Sequence, residues 1–143
     1  MNATPFAEPE IESVESTARQ TILLVDDDAA QTQVLSHRLR AQGFETLRAG
    51  SGEQALALAR SEGPDLVVLK LHLPDLDGFT VCRDLVDSAE TCGVPVIVLT
   101  EDTHPNIVRQ CRAAGCHFFL RTPYDPSVLL VLICEALQHR NAW

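Results

Sequence analysis

The chain has 143 residues, 45% of them apolar, with 7 Gly and 8 Pro, which fits one domain with its own core and excludes fibrous and disordered classes. A formal net charge of −9 argues against DNA or RNA as a direct partner. No apolar run approaches the ~20 residues of a membrane span, and the N-terminus lacks the basic and apolar regions of a signal peptide, so the expectation is a cytoplasmic protein without membrane contact.

Residues 1–19 carry Glu8, Glu10, Glu12 and Glu15, two prolines and scattered Ser and Thr, with no sustained apolar period. They read as a flexible acidic tail ahead of a folded region spanning 20–143. "TILLV" (21–25) is a first strand. A helix then opens at Asp28, three residues before Gln31 in a capping-box-like start, and stops at Gly43. "FETLR" (44–48) is the second strand, and a helix runs from Ser51 to Glu62. "DLVVLK" (65–70) is the third strand, followed by a helix from Gly78 to Asp87. "VPVIVLT" (94–100) is the fourth strand, and "HPNIVRQCRAAG" (104–115) suits a helix with Pro near its start and Gly at its end. "CHFFL" (116–120) is the fifth strand. The last helix covers 125–138, with Asp125 as N-cap and Pro126 at its first position.

Five strands thus alternate with five helices. Strands that read as continuous apolar runs are buried on both faces, which means a parallel sheet covered by helices. There are no internal repeats and no sign of a second domain. The five Cys (Cys82, Cys92, Cys111, Cys116, Cys134) contain no CxxC pair and read as small buried apolar residues in a reducing compartment. The five His are spread over different elements. His72, two residues past Lys70, belongs at the rim of any pocket there, and the others read as surface or loop residues.

In an open doubly wound sheet, ligands bind beyond the carboxyl ends of the strands. Those ends carry Asp26 and Asp27 after strand 1, Lys70 at strand 3, Thr100 at strand 4 and Thr122 after strand 5. Lys70 is the only lysine among eleven basic residues. If the strand order is 2-1-3-4-5, strands 1 and 3 are neighbours and Asp26 or Asp27 lies within reach of Lys70.

"ILLVDDD", "AGSGEQALAL", "PDLVVLKLHLPDLDG", "PVIVLT" and "GCHFFLRTPYDP" together resemble the receiver domain of bacterial two-component response regulators, over about residues 21–139. The resemblance implies a flavodoxin-like, doubly wound five-stranded parallel sheet of order 2-1-3-4-5 with five flanking helices. In that family an acidic pair after strand 1 and a phosphoacceptor Asp at the end of strand 3 hold Mg²⁺, and a histidine kinase supplies the phosphoryl group. A Thr or Ser after strand 4 and a Lys before a strand 5 Pro contact the phosphoryl oxygens, and an aromatic residue in strand 5 changes rotamer with the state. Carried over, the acidic pair is Asp26 and Asp27, the switch pair is Thr100 and Phe119, and the Pro is Pro123, with a cis Thr122–Pro123 bond implied. Two positions depart. The phosphoacceptor position is Lys70, and the phosphoryl-binding Lys position is Thr122. An ammonium cannot form an acyl phosphate, and Thr122 offers no charge to a phosphoryl group. Two carboxylates and one ammonium present about −1 to a cation where three carboxylates present about −3, so Mg²⁺ binding is expected to be lost, and no metal or other cofactor is expected. Lys70 should instead donate to Asp26 and Asp27.

The resulting expectation is a stand-alone, degenerate receiver that is not an enzyme and acts through protein–protein contacts. The last helix supports this, since Val128 to Cys134 run apolar without a break. If Leu129, Ile133 and Leu137 face the sheet, Val128, Val131 and Leu132 lie toward the outer side and suit a partner or a second copy on the helix 4–strand 5–helix 5 face. One alternative is phosphotransfer on a surrogate acceptor such as Asp27 or Asp75. Another is a flavodoxin-like cofactor binder, disfavoured because no Gly/Ser/Thr-rich phosphate loop follows strand 1. A Schiff-base role for Lys70 is disfavoured because adjacent carboxylates keep it charged.

Overall fold

The computed structural model describes residues 20–142, so the acidic tail lies outside the described residues. Five strands, β1 (Thr21–Val25), β2 (Glu45–Ala49), β3 (Leu66–Lys70), β4 (Val96–Thr100) and β5 (Phe118–Arg121), alternate with α1 (Ala29–Ala41), α2 (Gly52–Glu62), α3 (Gly78–Asp87), α4 (Ile107–Ala114) and α5 (Pro126–Ala142). All four strand pairings are parallel and the order is β2-β1-β3-β4-β5, as expected.

Side chains of successive strand residues point to opposite faces, and the two faces have separate cores. Leu23, Val25, Val67, Leu69, Val96 and Val98 share one core with residues of α2, α3 and α4. Ile22, Leu24, Leu66, Val68 and Ile97 share the other with Leu39 of α1 and with Leu129, Ile133 and Leu137 of α5. Burying each large aliphatic side chain stabilises the fold by roughly 1.5–3 kcal/mol, and β1, β3 and β4 supply such residues to both faces. The inward stripe of α5 is the expected one. Val128 and Val131 are exposed on its outer side, at 42% and 64%. Leu132 departs from expectation, because it is half-buried and packs against the second core.

Several boundaries also differ. β2 starts one residue late because the Phe44 N–H is spent on the Leu39 carbonyl at the end of α1. β4 starts at Val96, not 94, because the Val94 N–H closes a turn on the Thr91 carbonyl and Pro95 has no N–H to give. α4 starts at Ile107, not 104. The loop before it is held by side chains: Asp102 accepts from the His104 N–H, and His104 Nδ1 accepts from the Asn106 N–H. β5 starts at Phe118 because the Cys116 N–H belongs to the C-terminal cap of α4, donating to the Cys111 carbonyl. α5 continues past 138 to Ala142. The cysteines are not uniformly buried: Cys82 and Cys111 are, Cys116 is half-buried, and Cys92 and Cys134 are exposed.

Candidate functional site

β1 delivers Asp26 and Asp27 to the carboxyl edge of the sheet. The Asp26 N–H extends the ladder to the Ala49 carbonyl at 3.0 Å, and Asp26 Oδ1 accepts from the Asp28 N–H at 2.9 Å. Asp28 turns the chain into α1 by accepting from the N–H groups of Ala30 and Gln31. The neighbouring β3 delivers Lys70, whose Nζ donates to Asp27 Oδ1 at 2.9 Å and stands 3.6 Å from Asp26 Oδ1. The expected approach of the lysine to both aspartates is therefore present.

Behind Lys70 the chain must double back. Gly78 donates to the Leu71 carbonyl at 2.7 Å, and a Cβ at Gly78 would lie 2.8 Å from the Leu71 backbone. Only glycine allows that approach. Between them Asp75 reaches across to α2, accepting from the Gly52 and Glu53 N–H groups at 2.8 and 3.0 Å. These bonds hold its carboxyl below its ordinary value. Asp75 is thus spent as a tie between loops.

Thr100 ends β4, buried at 4%, and its hydroxyl accepts from the Asp102 N–H at 2.9 Å. The Thr122 N–H donates to the Thr100 carbonyl at 2.8 Å, and the Thr122–Pro123 bond is cis. A cleft of about 970 Å³ opens over these strand ends and is lined by Asp26, Lys70, His72, Thr100, Thr122 and Pro123, among others. Asp27 and Phe119 do not line it. Phe119 is half-buried against the first core, with the Arg121 guanidinium 5.9 Å from its ring centre. His72 lies at the rim as expected, with Nε2 3.8 Å from Asp102 Oδ2. Arg38 and Tyr124 also line the cleft, and neither carried a signal in the sequence: helical periodicity marks an α1 residue such as Arg38 as inward or outward but not as a cleft wall, and Tyr124 lies in the loop between β5 and α5, where no period operates.

The electrostatics follow the contacts. The hydrogen bond from Lys70 holds the Asp27 carboxyl below its ordinary value, with desolvation opposing it and the charge of Lys70 adding to the lowering. The hydrogen bond to Asp27 raises Lys70, with the charge of Asp26 adding to it and burial opposing. The ammonium therefore stays protonated across the physiological range and is no nucleophile.

A parallel sheet of order 2-1-3-4-5 with helices on both faces and an acidic pair at its carboxyl edge defines a doubly wound α/β domain with its site at the strand ends. Residues 22–134 match the family model "Response regulator receiver domain", and the chain belongs to that family of two-component signalling modules. Among its relatives, the DNA-binding response regulator MtrA of Mycobacterium tuberculosis is 39% identical over 126 residues, covering 87% of this chain and 54% of MtrA. The chain thus spans about half the length of the MtrA relatives it matches. Protein PilH of Pseudomonas aeruginosa is 35% identical, covering 81% of this chain and 96% of PilH. The structure of the chemotaxis response regulator CheY4 of Vibrio cholerae superposes with a TM-score of 0.77 at 27% identity, covering 82% of this chain and 98% of that one. Among the described residues, no helix is long and apolar enough to cross a membrane.

Proposed function

We propose that this receiver signals through protein contacts and does not accept a phosphoryl group at the end of β3. One observation carries the reading. The residue at the family's phosphoacceptor position is Lys70, and its ammonium is 2.9 Å from Asp27 and 3.6 Å from Asp26. A lysine has no carboxylate oxygen to attack a phosphorus atom. The same contacts argue that the family's Mg²⁺ does not fit: the cation that neutralises the acidic pair is part of the chain, and a second one would meet it at close range. Thr122 in place of the family's lysine removes the charge that would steady a phosphoryl group.

The surrogate-acceptor reading is weaker. Both oxygens of Asp75 are engaged by backbone N–H groups, and Asp27 is ion-paired. Output is assigned to the face formed by α4, β5 and α5, where Val108, Val128 and Val131 stand exposed, and to a protein partner or a second copy of the chain.

The test is incubation with acetyl phosphate and Mg²⁺, read by intact mass and by amide NMR. The expected result is an unchanged mass and unmoved signals for Asp26, Asp27, Lys70 and Thr100. A mass gain of one phosphoryl group would overturn the proposal, and the modified peptide would name the acceptor.

A further inference from the structure

At the amino edge of the sheet, the described chain begins beside the end of α1. The Gln20 carbonyl accepts from the Glu45 N–H at 2.9 Å, just past Gln42, the C-cap of α1. From Gln42 a groove of about 220 Å³ runs between α1 and α5. Leu39 and Leu129 form its buried floor, and half-buried Leu35 and Leu130 stand at its sides. Leu35, Arg38 and Pro126 also line the cleft over the strand ends, so the two hollows are continuous.

Among the described residues that line the groove, Arg38 alone is charged. It has no ion-pair partner among the described residues. Asp125, just ahead of α5, is spent on the N–H and hydroxyl of Ser127. An apolar trough with an unpaired guanidinium calls for an occupant that brings apolar side chains and a carboxylate.

We propose that the chain's own N-terminal segment seats in this groove, with Glu15 on Arg38 and with Val14 and Ile11 against Leu35 and Leu130. Position favours it, because the segment joins the fold at the groove's end. Reach favours it too. Gln42 to Leu35 is two helical turns, roughly 10 Å. An extended chain covers roughly 3.3 Å per residue, so about five residues carry it from Gln20 to Arg38, which is the place of Glu15. Charge narrows the choice of surface. Residues 1–19 hold −3 of the formal −9, and the remainder is negative as well, so most of the surface repels the segment. The last turn of α1 is an exception, with Arg38 and Arg40. A short tether also gives the segment a local concentration on the order of millimolar, so modest contacts suffice. Val108, Val128 and Val131 do not line the groove, and the docked segment leaves them open while it covers the α1 side.

The test is NMR of the full chain labelled with ¹³C and ¹⁵N. The expected result is heteronuclear NOE values for Glu10 to Glu15 near those of the strands, and methyl cross-peaks from Ile11 or Val14 to Leu35 or Leu130. Arg38→Gln should lose both. Arg40→Gln, at a cation outside the groove lining, should keep both. Heteronuclear NOE values of a free chain in the wild type, or cross-peaks to another surface, would overturn the proposal. So would contacts that survive in Arg38→Gln, or cross-peaks that arise only between labelled and unlabelled copies in a mixed sample.

Discussion

Lys70 forms an ion pair at the edge of the solvent, with its side chain 36% exposed and that of Asp27 42% exposed. Such pairs add little to stability, so its importance lies in what it excludes from the pocket. The pH dependence has two limbs. Asp27 is lowered in the folded state, so its contribution is present above the ordinary carboxylate value and is lost as pH falls through its folded value. Lys70 is raised, so its contribution is present below the ordinary lysine value and is lost as pH rises through its folded value. Lys70→Met should move the Asp27 carboxyl midpoint upward in a ¹³C NMR titration, and an unmoved midpoint would refute the assigned cause. Lys70→Asp with Thr122→Lys should gain Mg²⁺ binding and a phosphoryl group from acetyl phosphate, whereas Lys70→Asp alone should do so poorly. Intact mass distinguishes the three proteins. Gly78→Ala would press a methyl group into the Leu71 backbone and should destabilise by about 1–3 kcal/mol, read as a fall in Tm.

At the scale of elements, α5 shows how one apolar run divides its labour. Ile133 is fully buried and Val131 is 64% exposed, two positions apart. Ile133→Ala should cost roughly 2–5 kcal/mol in denaturant unfolding. Val131→Asp should leave stability within about 0.5 kcal/mol while abolishing partner or self-association, measured by light scattering. Equal losses of stability in both variants would contradict the assigned faces. The core of each element was legible in the sequence because apolar runs and caps are local signals. Its edges were less so. Nothing in "EDTHPN" announces that Asp102 and His104 side chains take up the backbone N–H groups that a helix from 104 would leave to its own first turn. Leu132 was misplaced for a related reason: in a helix apolar nearly all round, the pattern marks one inward stripe but not how far the flanking residues are covered.

For the molecule as a whole, the parallel order made the site legible. Once β1 and β3 are neighbours, Asp26, Asp27 and Lys70 must meet, and they do. The reach of Asp75 to the start of α2 was not legible, because it joins two loops by side chain to backbone and leaves no periodic trace. The same order predicts how the molecule opens. β1 and β3 are interior and almost wholly buried, whereas β2 and β5 are edges with partly exposed residues. Native-state hydrogen exchange should place the slowest amides in β1 and β3 and faster ones in β2 and β5.

The solitary lysine also gives the protein an intrinsic reporter. A sample labelled with ¹⁵N only at lysine side chains contains a single ammonium nitrogen, and it sits on the acidic pair. Any ligand, ion or partner that disturbs the pocket must announce itself in that one resonance, without a tag, a dye or an engineered substitution.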